Sequence, residues 1–397
     1  MIRTAPSIVT LALIAAVSPL AMNVYLPSLP AIADDFNTPT SSAQLTVSIY
    51  LAATAIAQLI IGPLSDKFGR RPVMLWGLAI MIAATFICIY APTIEVLWLG
   101  RILQASCAAG VVLSRAIARD MVEGSEAASM IGYITMGMTL APMLGPVFGG
   151  FLDEWYGWQS SFWVLIGFAS FVFVVCWFDM GETNKNMDSK FSDQLRAYPE
   201  LISSRRFLGY CATLGLTAST FFVYLGAAPI LSDEFYGMSP STFGFYFVFI
   251  ACGYMIGNFI SGRYSTRFGI NPMMFAGCLV VAAGLLIALG FYALNLTHPV
   301  FFFGMTFFVG IGHGMTLPNA NGGVVNLRPQ IAGAASGLAA TFQIACGSGF
   351  AAFSFYAFSP GKSVLTLLLL MLVTVLGAIL ATLYVIYIEK SVENEQA

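Results

Sequence analysis

The chain has 397 residues, of which 58% are hydrophobic and 9% charged, with a net charge of -2. Soluble domains commit about a quarter of their residues to charge, so a water-soluble globular core is excluded, and no basic stripe with interleaved aromatics suggests a nucleic-acid partner. An apolar run of about 20 residues crosses a bilayer as a helix, and lipid-exposed irregular backbone would leave its polar groups unpaired, so the expected fold is an all-α membrane bundle in contact with lipid.

Apolar runs between polar breaks predict twelve spans, near 7-32, 42-64, 73-91, 95-117, 127-151, 158-178, 207-231, 241-264, 271-293, 299-320, 331-357 and 363-388. The first, from about Ser7 to Ile32, is too long for the apolar stretch of a signal peptide and lacks a small-residue cleavage site, so it counts as a span. The longest polar stretch runs from Asp179 to Arg206. It divides the chain into an N-terminal six-helix bundle at 1-180, a linker at 181-206 and a C-terminal six-helix bundle at 207-397.

Cytoplasmic loops carry the excess of lysine and arginine. With the N-terminus inside, Arg3, Lys67, Arg70, Arg71, Arg115, Arg119, Lys185, Lys190, Arg196, Arg205, Arg206, Arg263, Arg267, Arg328 and Lys390 fall on one face, 15 of the 17 cations. Lys362 falls in an outer loop and Arg101 inside a span. Both termini are therefore expected in the cytoplasm. The seven cysteines stand singly in apolar segments, which implies neither a disulfide framework nor a zinc site. With His298 in an outer loop and His313 in a span as the only histidines, a membrane-embedded enzyme lacks material, and no cofactor or metal is expected.

The halves repeat. Gly62-Pro63-Leu64-Ser65-Asp66-Lys67-Phe68-Gly69 follows span two, and Gly262-Arg263-Tyr264-Ser265-Thr266-Arg267-Phe268-Gly269 follows span eight at an offset of 200. Duplicated halves characterise transporters that rock about a central site. Gly62 to Pro72, with Asp66, Arg70 and Arg71, resembles the loop signature of the major facilitator superfamily. The resemblance implies a two-bundle, alternating-access transporter in which Asp66, Arg70, Arg119 and Asp120 latch one state.

Other motifs extend the likeness. Arg101-Ile102-Leu103-Gln104 in span four is similar to the family's Arg-x-x-Gln motif, and an arginine within a span is functional by default unless it snorkels to an interface. Gly145-Pro146-Val147-Phe148-Gly149-Gly150 in span five resembles the motif of the antiporter branch; its glycines permit close helix approach and its proline removes a donor. Gly347-Ser348-Gly349 in the second half lacks the proline. Met22-Asn23-Val24-Tyr25-Leu26-Pro27 in span one looks like the Bcr/CflA drug/proton antiporters, supported by Trp158-Gln159-Ser160-Ser161-Phe162-Trp163 and Leu317-Pro318-Asn319-Ala320.

That branch usually carries an aspartate where this chain has Asn23, and asparagine exchanges no proton at physiological pH. None of the 19 acidic residues is placed mid-span. Coupling then falls to Arg101 with His313, a lone imidazole in Gly310-Ile311-Gly312-His313-Gly314, or to Asp34 or Asp35 through a water-filled vestibule, or is weakened or absent. The resemblance implies a cavity lined by spans one, four, seven and ten, and the candidate substrate residues are Asn23, Tyr25, Ser114, Phe221, Phe222, Tyr224, His313 and Asn319. Phe221, Phe222 and Tyr224 cannot all face one way, because consecutive helical positions diverge by about 100°. The expectation is a monomeric multidrug exporter of small amphipathic compounds in a bacterial inner membrane, exchanging them for protons; export of an endogenous metabolite such as a siderophore is the alternative.

Overall fold

The computed structural model describes residues 5-122, 124-184, 199-296, 298-327, 332-357 and 364-396. Arg3, Lys185, Lys190, Arg196, Arg328 and Lys362, used above to orient the chain, lie outside the described residues. Every regular element among the described residues is helical.

In the first half these are α1 (Ile8–Asn23), α2 (Leu29–Asp35), α3 (Thr40–Phe68), α4 (Arg70–Ile89), α5 (Ile94–Gln104), α6 (Ala108–Met121), α7 (Gly124–Tyr156) and α8 (Gln159–Asp179). The second half holds α9 (Arg205–Glu234), α10 (Pro240–Phe268), α11 (Ile270–Ala293), α12 (Val300–Phe303), α13 (Thr306–Leu327), α14 (Ala332–Ala357) and α15 (Val364–Gln396). Ten helical segments among the described residues are long and apolar enough to cross a membrane. The fifth and eleventh predicted spans correspond to α7, of 33 residues, and α14, of 26.

Several predicted spans are not simple rods. The first breaks after Asn23 and re-forms through a short 3-10 turn at Leu26–Ser28 into α2, where Pro27 and Pro30 supply no amide donors. The fourth tightens into a 3-10 turn at Ala105–Cys107 between α5 and α6. Span two, expected to end near residue 64, continues as helix to Phe68, so Asp66 sits in a helical last turn rather than a loop. Gly69 ends it: its φ of +96° is a conformation that side chains resist.

The repeat seen in sequence is a repeat of structure. Thr40–Phe68, Gly69 and Arg70 at the start of α4 correspond at an offset of 200 to Pro240–Phe268, Gly269 and Ile270 at the start of α11, and Gly269 has φ +87°. A span longer than the apolar run is thus closed by the same glycine turn in both halves.

By contact the chain falls into two units, Met1–Asp193 with Ser239–Gly244, and Gln194–Met238 with Phe245–Ala397. In the first, α1 is central and packs on α6, α7 and α8, with Leu11, Ile14, Leu113, Ile117 and Leu165 buried in its core. In the second, α9 is buried along most of its length against α13, α14 and α15.

Candidate functional site

The first unit encloses a cation. Arg101, at the end of α5, is fully buried, and its guanidinium carbon lies 4.3 Å from the ring centres of both Tyr25 and Tyr50. Nη1 donates to the Ala21 carbonyl at 3.1 Å and to Gln104 Oε1 at 2.5 Å. Gln104 in turn donates to Thr85 Oγ1 at 2.8 Å, and Thr85 donates to the Met81 carbonyl at 2.7 Å. Both rings are anchored at their far ends. Tyr25 Oη pairs with Thr46 at 3.1 Å, and Tyr50 Oη donates to the Ser18 carbonyl at 2.9 Å.

Two features set this arrangement apart from an ordinary ion pair. Among the described residues no carboxylate lies within ion-pair distance of Arg101. Nε and Nη2 are buried without hydrogen-bond partners. The charge is balanced only by π-faces and carbonyl-type oxygens, which leaves donors available to an anion or to a polar group that moves in.

Asn23 closes α1 two residues beyond Ala21. It is fully buried; Nδ2 donates to the Pro19 carbonyl at 2.7 Å while Oδ1 has no partner. The opposing wall is α7, where a Cβ on Gly145 would lie 3.2 Å from Asn23 Cβ and one on Gly149 would collide with the Val24 carbonyl oxygen. Spaced four residues apart, these glycines share a face of α7 and let it press against the break in the first span. Pro146, between them, is buried within the helix.

A stability prediction follows from that contact. Gly149→Val is expected to cost about 1–3 kcal/mol or more through overpacking and to lower the melting temperature in detergent. Gly167→Ala, where nothing lies within 4 Å of the new Cβ, is expected to be neutral or slightly stabilising. Equal melting of the two variants would show that the α1–α7 contact is not tight.

The second unit holds the other candidates. His313 on α13 is buried, with Nε2 unpartnered and its ring edge-on to Phe221 at 6.2 Å. Phe221 also meets Phe222 at 6.0 Å and Phe247 at 6.4 Å, and Tyr224 meets Phe247 at 5.9 Å. Of the three candidate aromatics on α9, Phe221 is partly exposed, and Phe222 and Tyr224 are buried in packing. Asn319 donates to Ser261 at 2.8 Å and to the Met315 carbonyl at 2.7 Å, and Ser114 donates back to Val111 in its own helix at 3.3 Å.

At the end of the first unit carrying Phe68 and Met121, Arg70 bridges two acids. Nη1 meets Asp66 Oδ1 at 2.5 Å and Nε meets Asp120 Oδ2 at 3.1 Å. Arg119, one residue before Asp120, is exposed and outside this cluster. The chain beyond α8 closes over it: Glu182 Oε1 accepts the Arg70 amide at 2.9 Å and Oε2 the Arg71 amide at 3.2 Å, capping α4. Thr183 donates to Asp120 at 3.2 Å, and Asn184 donates to the Asp66 carbonyl at 2.9 Å. Asp34 and Asp35 are exposed near the end of α7, where Trp158 Nε1 donates to Asp35 at 2.8 Å.

Sequence reasoning missed Tyr50, Thr85 and Glu182. Tyr50 and Thr85 lie in apolar spans at spacings that any packing residue could occupy, and Glu182 reaches Arg70 across 112 positions. No local pattern marks such partners.

Comparison with known proteins agrees with this architecture. The family described as Major Facilitator Superfamily matches residues 11–347. An uncharacterized MFS-type transporter of Bacillus subtilis is 32% identical over 64% of this chain and 65% of its own, so the chain spans just under two thirds of that relative. A bicyclomycin resistance protein homolog of Haemophilus influenzae is 26% identical, and multidrug resistance protein D of Escherichia coli 27%, each over 86% of both chains. Among solved structures, a D-xylose-proton symporter aligns over 95% of this chain and 96% of its own with a TM-score of 0.75 at 13% identity, a likeness of fold. These names accord with the Bcr/CflA resemblance of the sequence, and the matched residues cover most of both units. The chain is a multi-pass membrane protein that belongs to the Major Facilitator Superfamily.

Proposed function

We infer that this chain is a secondary active exporter that moves small amphipathic compounds out of a bacterial cell across the inner membrane, in exchange for protons, by alternating access. The observation that carries the reading is the buried Arg101, held by two tyrosines with open donors and no carboxylate partner among the described residues. A cation withdrawn from water in this way is costly and is kept for function. The drug-resistance names of relatives that match over 86% of this chain support an amphipathic drug as cargo.

On this reading both termini are cytoplasmic, and the Asp66–Arg70–Asp120 cluster, with Gly145 and Pro146 in α7, controls which side is open. Tyr25 and Asn23 meet cargo on the first unit, and Phe221 and His313 on the second. His313 and the exposed Asp34 and Asp35 are the candidate proton carriers, and Arg101 tunes the site that they serve. The functional unit is a monomer.

Uptake of a labelled phenicol into inverted vesicles tests this. An acid interior is expected to drive accumulation, a protonophore to collapse it, and His313→Ala to remove the dependence on the gradient. Accumulation indifferent to the pH gradient ends the exchange reading. Gradient-driven uptake that survives His313→Ala removes the histidine as carrier and leaves the exporter standing.

A further inference from the structure

The end of the second unit carrying Tyr210 and Phe268 lacks the residues of the ion cluster. At the offset of 200 that relates the halves, Asp66 and Arg70 give way to Thr266 and Ile270, although the glycine turn is kept at Gly269. A carboxylate stands there nevertheless. Glu389, late in α15, is half-buried, and among the described residues no cation lies within ion-pair distance of it.

Two uncharged donors hold it. Tyr210 Oη donates to Glu389 Oε1 at 2.9 Å, and Asn271 Nδ2 donates to Glu389 Oε2. Asn271 Oδ1 lies 3.0 Å from the same hydroxyl, so the three side chains close a ring that joins α9, α11 and α15. α13 is fitted to the same point, because a Cβ on Gly323 would collide with the Tyr210 ring. Hydrogen bonds to a carboxylate are about twice as strong as those between neutral groups, and helix ends are where a bundle opens most readily.

The first unit follows the same plan in other residues. Thr10 Oγ1 donates to Asp179 Oδ2 at 2.5 Å, and Arg71 Nη2 donates to the Trp177 carbonyl at 3.0 Å. Positions 10 and 71 correspond to 210 and 271 at the offset of 200, and in each half both reach the end of that half's last span. Threonine is replaced by tyrosine and arginine by asparagine, yet the contacts are remade. A junction rebuilt in different chemistry at corresponding positions serves the architecture rather than one local packing.

We propose that Tyr210, Asn271 and Glu389 form a clasp that keeps the ends of α9, α11 and α15 together as one body, and that they are positioning residues for transport, since α9 carries Phe221. The clasp stands on the contacts alone; its effect on transport rests on the export reading above.

Maleimide labelling of Cys211 in the full chain in detergent, followed by mass spectrometry, tests it. Cys211 is buried in the core that Tyr210 shares with Met274 and Val385, so it reacts when this end opens. Tyr210→Phe keeps the ring beside Gly323 and loses the hydroxyl; Glu389→Ala loses both acceptors. Each is expected to speed labelling of Cys211 about tenfold and to leave Cys88, buried in the first unit, unchanged. The double variant is expected to label no faster than Glu389→Ala, because both act through one junction. Lys390→Ala, at the exposed neighbouring position, is expected to match the parent. Uptake of phenicol per folded molecule is expected to fall severalfold in both clasp variants. If Glu389→Ala fails to fold, as its melt would show, Tyr210→Phe decides. Unchanged labelling of Cys211, equal acceleration at Cys88, additive single variants, or uptake equal to that of the parent overturns the proposal. A parent that takes up no phenicol sinks the export reading alone, and labelling then decides the clasp.

Discussion

Replacing Arg101 by methionine is expected to abolish gradient-driven transport while leaving the melting temperature of the purified protein within a few degrees of the parent. The two halves of that expectation come from separate terms. Burying a guanidinium costs several kcal/mol even after relaxation. Against this stand two ring faces at 4.3 Å, each contributing about 2 kcal/mol when desolvated, and charged hydrogen bonds to Ala21 and Gln104 at about 1.5–3 kcal/mol apiece. The gains and the penalty are of similar size. An unbranched apolar chain of similar length fills the same slot between Tyr25 and Tyr50 without the penalty, so stability changes little.

Transport behaves otherwise, because only the guanidinium presents Nε and Nη2 to an incoming group. Arg101→Lys sharpens the test. It retains charge but replaces a planar fork with a hydrated point charge that cannot stack between two rings and bond both oxygens, and it is expected to lose about tenfold or more of transport. Thermal melts paired with vesicle uptake check both variants. A methionine variant that melts far below the parent would make Arg101 a structural element, and one that still transports would remove it from the mechanism.

The contrast between charge and context also explains what could be read without a structure. The helical bundle, the repeat at Phe68-Gly69 and Phe268-Gly269, and the placing of Arg101 inside a span were legible because each rests on a local rule: apolar length, a glycine turn, the position of a cation within an apolar run. The glycines of α7 were legible as close-packing residues, but not their target, the break after Asn23. The ion cluster around Arg70 was half legible. Asp66 and Arg70 stand four residues apart and pair at 2.5 Å, and of the two α6 candidates Arg119 and Asp120 only Asp120 reaches Arg70 while Arg119 is exposed, a matter of helical phase. Tyr50, Glu182 and Glu389 were beyond reach in these roles. Each acquires its place from a long-range contact or a burial that neither spacing nor composition encodes.

Asn23→Asp is expected to strengthen proton coupling, seen as a steeper dependence of phenicol accumulation on the imposed pH gradient in inverted vesicles. The geometry around Asn23 makes this specific. Nδ2 now donates to the Pro19 carbonyl at 2.7 Å and Oδ1 has no partner. A protonated carboxylic acid can make the same donation, because its O–H replaces the amide N–H; an ionised one cannot, and sets an acceptor against the Pro19 carbonyl. The two protonation states therefore differ by one buried hydrogen bond and one buried charge, at the point where the first span breaks and α7 presses against it through Gly145 and Gly149. An open helix end is a place where such a difference becomes movement rather than strain. The asparagine holds the donating state permanently, which corresponds to the protonated form, so the parent is expected to favour one conformation and to couple weakly. A gradient dependence identical in parent and variant would show that position 23 takes no part in the exchange, and would leave His313, Asp34 and Asp35 as the groups to test.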